Sequence, residues 1–217
     1  MTSPRIFIKM AAALRKAGRV LPLSYYPAEV LRQTARTVRD VHDPRIQQLV
    51  SDMVTTVRFH DGLGLAAPQV GSLERIFVMR RPLSFYRGRQ RRRRKHLERE
   101  FDVCINPEIR AHSEQQSLWP EGCLSIPEVQ SFVRRKHGIV VRYLNEEGDR
   151  IRRRLVGLPA VVFQHELDHL NGVLILDREV PLEEDGEEMQ RAIQRYEHDS
   201  MVHYSSMGEG ESDSVAV

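Results

Sequence analysis

Between residues 43 and 57 the apolar positions Ile46, Leu49, Val50, Met53, Val54 and Val57 recur at three- and four-residue intervals, which lays one apolar face along a helix. Asp43 suits its N-cap and Pro44 its first turn, and Asp61-Gly62 marks the point before which it must end. A second helical pattern opens at Leu158 and carries Val161, Val162, Leu167 and Leu170, with Gly172 placed to close it in a left-handed conformation. Residues 75–79 and 101–109 read as strands, the second broken at Asn106-Pro107. Apolar and polar positions alternate over 138–144 and 149–155 around Glu146-Glu147-Gly148, a hairpin signal. Residues 173–176 form a short apolar strand candidate and 182–196 a C-terminal helix, while 205–217, rich in Ser, Gly and Glu, lacks the apolar content to fold. The run Gly62-Leu63-Gly64-Leu65-Ala66-Ala67-Pro68-Gln69 has little side-chain bulk. It suits either a tight helix-to-strand turn or close approach by another backbone, and Gln69 ends it with an amide able to donate hydrogen bonds.

Composition narrows the class without naming it. A chain of 217 residues, 41% hydrophobic and 29% charged, can bury a single core, and no apolar run reaches membrane-spanning length. Two cysteines, Cys104 and Cys123, are too few for a disulfide framework and point to a reducing compartment. The net charge of +3 hides uneven placement. Residues 1–28 hold five basic residues and no acid, 87–99 is dominated by arginine, and 183–188 is acidic. The basic start reads as an organelle-targeting segment or as an arm packing on the domain. The arginine-rich segment lacks interleaved aromatics or a nucleic-acid module; a solvated loop between two strands is expected, and any RNA contact there would weaken with salt.

The chemistry lies in Gln164-His165-Glu166-Leu167-Asp168-His169 on the second helix. Residues four apart share a helix face, so His165 and His169 can bind one ion, and Glu166 sits beside it as a general base without being a ligand. The third ligand decides the class. The extended protease pattern would need a histidine where Ile175 stands, which excludes it. A thermolysin-like site would take Glu179, Glu183 or Glu184, none within a convincing second helix. Cys123, between Gly122 and Leu124, is the remaining candidate, and with it the set would be a mixed thiolate and imidazole site with one open position.

Three stretches in order, residues 62–69, Glu121-Gly122-Cys123-Leu124-Ser125 and residues 164–169, together resemble the peptide deformylase family. The resemblance looks continuous over 23–180 and implies an α+β fold with strands surrounding a central metal-binding helix. The remaining chain divides into the basic arm 1–22, a C-terminal helix over 181–200 and a tail over 201–217. The resemblance implies that Cys123, His165 and His169 bind a divalent metal, iron(II) by family habit with zinc, nickel or cobalt accommodated; ligand type alone suggests zinc. It implies that Glu166 takes the proton as hydroxide attacks the formyl group of an N-formylmethionyl nascent peptide, and that Gln69 and the Leu124 N–H stabilise the oxyanion. Leu63, Gly64, Trp119, Leu158, Val161 and Val162 are the substrate-binding residues it implies. No membrane or specific DNA partner is expected, and the basic segments leave ribosome contact open. Mitochondrion or another translating organelle would account for the acid-free start, and a bacterial cytoplasm for everything else.

Overall fold

The computed structural model describes residues 18–81, 100–181 and 186–204. The arm before residue 18, the arginine-rich 87–99, Glu183, Glu184 and the tail from 205 lie outside the described residues. In chain order the regular elements are α1 (Pro44–Phe59), β1 (Gly64–Ala66), β2 (Ile76–Arg80), β3 (Phe101–His112), β4 (Gln116–Cys123), β5 (Ile126–Lys136), β6 (Gly138–Leu144), β7 (Arg150–Val156), α2 (Leu158–Leu170) and α3 (Gly186–Tyr204). Five strands form an antiparallel sheet in the order β1-β2-β3-β6-β7, and β4 and β5 form a separate hairpin. The fold is α+β, with strands on several sides of α2.

α1 forms where its apolar period predicts, and the Asp43 side chain accepts from the Arg45 N–H at 2.8 Å. Such a cap contributes about 1 kcal/mol. Ile46, Val50, Met53 and Val57 pack on Leu65, Ile76, Val78 and Val103 of the sheet. α2 packs against the other face, where Leu158, Val162, Phe163 and Leu170 meet Phe77, Met79, Tyr143 and Leu155. A sheet buried between two helices supports a side chain on α2 with little freedom to shift.

Several elements depart from the sequence reading. β3 runs straight through Asn106-Pro107, absorbing the proline in a register shift between Ile105 and Glu108. Asn106 takes φ 51°, and its amide exchanges two 2.9 Å hydrogen bonds with the Val38 backbone. Asn tolerates this left-handed conformation, so the strand bulges instead of ending. Residues 173–176 are no strand: Ile175–Asp177 is a single 3-10 turn. The Asp177 carboxylate accepts from the Leu174 N–H at 2.8 Å, and Leu174 and Ile175 are buried with Leu31, Cys123, Ile126 and Val133. α3 runs further than the expected 182–196, to Tyr204. The β4–β5 hairpin, unforeseen, carries Cys123 at the end of its first strand. Among the described residues no helix is long and apolar enough to cross a membrane.

Candidate active site

His165, Glu166 and His169 lie on successive turns of α2, close to where Cys123 ends β4. The Cys123 sulfur is 3.2 Å from His169 Nε2, and one ligand atom from each of Cys123, His165 and His169 falls within 4.8 Å of the others. The two imidazoles meet edge to face at 5.0 Å. A thiolate and two imidazoles at such separations make a soft-to-borderline donor set able to converge on one ion, and three protein donors leave a position for water or substrate. Glu166 Oε2 is buried without a partner, as expected of a site built around a group these residues do not themselves supply. The residues present therefore fit a single divalent metal.

A buried ion-pair chain orients the side chains around this cluster. His165 Nδ1 lies 2.9 Å from Glu121 Oε2; with Nδ1–H donating to that carboxylate, Nε2 is free to face the metal. Arg135 grips Glu121 through two bonds of 2.7 and 2.8 Å and also donates to Asp168, which in turn receives Arg178. Burial alone would raise the Glu121 pKa, but the Arg135 charge and hydrogen bonds, aided by His165, hold it at about 2. Burial pushes His169 well below its usual value, reinforced by the positive charge of His165, which favours the neutral imidazole that a metal would need. For His165 burial acts in the same direction but is outweighed by its bonds to Cys123 and Glu121, which raise its affinity for positive charge.

Glu166 differs from all of these. Burial, opposed by His165, raises its pKa from 4.5 to about 7. Its carboxylate lies against Gly64 so closely that a Cβ built on that glycine would stand 2.3 Å from Oε1. Gly64→Ala is therefore expected to push the carboxylate off its position and lower turnover by about 100-fold, the scale of a 1 Å misplacement. A kinetic comparison at unchanged metal content checks this.

Gln69 sits in the 3-10 turn Ala67–Val70, its Oε1 accepting from the Ala66 N–H at 2.7 Å. That bond fixes the amide so that Nε2 points toward the Cys123 sulfur, 3.6 Å away. A cleft of about 450 Å³ opens over this group, lined among others by Leu63, Gly64, Leu124, Leu158, Val161 and Val162. Of the expected substrate residues only Trp119 is absent from its walls. Trp119 is fully buried in the core, with the Arg195 guanidinium over its ring.

Sequence reasoning missed the partners that orient the ligands, Arg135, Asp168 and Arg178, and gave Glu121 no role within its motif. It also missed Asp199 on α3, whose carboxylate accepts from the Leu158 N–H at 3.1 Å and so caps α2 from another helix. Gly157, at φ 66°, leaves room for it: a Cβ there would meet Asp199 Oδ2 at 2.5 Å.

Residues 20–185 match the family model described as polypeptide deformylase. Peptide deformylase 2 of a Nostoc species is 38% identical over 160 residues, which cover 73% of this chain and 86% of that protein. The crystal structure of peptide deformylase from Thermotoga maritima matches with a TM-score of 0.64 at 36% identity, covering 75% of this chain and 99% of that one. A Met-Ala-Ser-bound class I type b peptide deformylase from Acinetobacter baumannii matches with a TM-score of 0.63 at 32% identity, covering 73% and 98%. With this match spanning most of its length and a Cys/His/His centre at its core, the chain belongs to the polypeptide deformylase family.

Proposed function

We propose that Cys123, His165 and His169 hold the metal, that Glu166 carries the proton, and that Gln69 and the Leu124 N–H receive the negative charge of the reaction. As a family member the chain removes the N-formyl group from the N-terminal methionine of newly made proteins and releases formate. Glu166 owes its role to one observation: its carboxylate is buried beside three metal donors, yet Oε2 has no partner. When bound, the metal supplies Lewis acidity, which brings the pKa of water at the site to about 7 and polarises the formyl carbonyl. Glu166 accepts the proton of the attacking water and delivers it to the leaving amine, a transfer suited to a carboxylate whose own pKa lies near neutrality. Gln69 Nε2, held by its bond to Ala66, and the Leu124 N–H donate to the carbonyl oxygen as it gains charge.

Leu63, Leu158, Val161 and Val162 offer the methionine side chain an apolar seat. On one flank of the cleft, β1 is the edge strand of its sheet at Gly64; on the other run Pro120 to Gly122 of β4, so an extended peptide has backbone to pair with on both sides. The Met-Ala-Ser bound to the Acinetobacter relative supports a ligand of this kind. Iron(II) is the metal proposed, from the family's habit, with zinc the choice of donor chemistry alone. The bacterial origin of the relatives supports a bacterial cytoplasm over a mitochondrion. Contact with the ribosome through the basic segments belongs to the same proposal.

The test is formate release from formyl-Met-Ala-Ser by protein purified without oxygen, with metal measured on the same sample. Turnover with about one metal per chain is expected from three converging donors; bound metal without formate would overturn the assignment.

Metal removal gives a further expected result. Cys104 is fully buried, and burial pushes its thiol well above the usual value, whereas Cys123 borders the cleft. Chelation should expose a single fast thiol to a chromogenic disulfide reagent under native conditions, and Cys123→Ser should abolish it. Two fast thiols, or none, would contradict the assignment of Cys123.

A further inference from the structure

β6 and β7 place Arg142 directly opposite Arg152, with Arg150 opposite Leu144 and Arg154 opposite Val140. These side chains share the outer face of the sheet, because the alternate residues Val141, Tyr143, Ile151 and Leu155 turn inward onto the α2 core. α1 packs over β1 and β2, and Arg142, Arg150, Arg152 and Arg154 are left exposed. Arg110, on the neighbouring β3, is exposed as well. Glu108 is the acid set among them, and it is taken by Arg142 at 3.0 Å and Arg110 at 3.1 Å. Asp149 in the β6–β7 turn bonds Asn145. Arg150, Arg152 and Arg154 have no ion pair among the described residues.

Like charges directly opposite on paired strands destabilise a sheet; Glu108 offsets Arg142, while Arg150, Arg152 and Arg154 have no such partner among the described residues. We propose that this row is a docking surface for the phosphate backbone of RNA. Alternate residues of a strand lie about 6.6 Å apart, so three arginines make a straight row of forks able to follow a chain of phosphates. An anionic bilayer is disfavoured: Val156, at the end of β7, is the exposed apolar residue of this strand, and Ile151 and Leu155 turn inward, so no large apolar side chain is offered among the arginines to insert. The activity gives the contact a use, since newly made N-termini leave an RNA-rich particle. The inference rests on the charge and register of this face and is independent of the metal site.

Binding of the metal-loaded full chain to a labelled RNA duplex of about 20 base pairs, followed by anisotropy across a salt series, tests it. Arg150→Gln/Arg152→Gln/Arg154→Gln should weaken binding at least tenfold. It should also reduce the slope of log affinity on log salt by between about two and three, one released counterion for each lost contact. Arg36→Gln/Arg39→Gln/Arg191→Gln, a charge-matched change on other surfaces, should have a much smaller effect, and both variants should release formate from formyl-Met-Ala-Ser at the parental rate. Equal losses from the two triples would reduce the effect to net charge and overturn the proposal. Binding to phosphatidylserine vesicles without binding to RNA would overturn it in favour of a membrane.

Discussion

Glu166→Ala should retain the full metal content and lose formate release by a factor of about 10²–10⁴, the usual contribution of a positioned proton carrier. The donors proposed to hold the metal are Cys123, His165 and His169, and Glu166 is not part of that cluster. Its truncation removes a buried carboxylate with an unpartnered oxygen, so the variant should melt no lower than the parent. Glu166→Gln keeps the shape against Gly64 without the proton transfer and should be equally inactive. Metal analysis, thermal melting and turnover on one preparation separate the roles: loss of metal from the alanine variant would show that Glu166 is a ligand.

Arg135→Met should produce the largest loss of stability, about 3–5 kcal/mol, because it strands the buried Glu121 carboxylate. Arg135 and Glu121 are each almost fully enclosed, and Arg135 is the cation that joins Glu121 to Asp168. Arg178 still reaches Asp168, so the damage should centre on Glu121. With Arg135 gone, Glu121 loses what holds its pKa at about 2, takes up a proton and slackens its hold on His165. Metal affinity should fall about 10- to 100-fold, the usual effect of losing a ligand's hydrogen-bonding partner. The sign against pH follows from a folded value of about 2 below an ordinary value of 4.5. The stabilisation from Glu121 is complete above 4.5 and is lost as the pH falls toward 2. Denaturant titration with metal competition at two pH values checks both parts, and an unchanged midpoint would refute the account.

What could be read from the sequence was what is local. α1 announced itself through Asp43, Pro44 and an unbroken apolar face, and the β6–β7 hairpin through its alternation. The donors on α2 were legible because the helix repeat brings residues 165 and 169 together. The β4–β5 hairpin was hidden because its buried positions include Ser117, Glu121, Ser131 and Arg135, polar residues that read as surface until their partners are seen. Those partners stand 14 and 33 residues apart, beyond any periodicity. Trp119 was assigned to the pocket by the family resemblance, whereas its ring is fully buried in the core with Arg195 over it, a contact 76 positions along the chain that no local pattern carries.

The cap that Asp199 gives α2 also orders the protein's own birth. The hydrogen bond spans 41 residues and reaches from α3, which lies beyond the segment matched by the family model, to the first residue of the metal-bearing helix. Synthesis delivers the chain from its N-terminus, so every metal donor is made before the residue that pins the start of their helix. An enzyme whose substrates are unfinished proteins thus completes the N-terminal hydrogen bonding of its own catalytic helix only when nearly all of the described chain has been made.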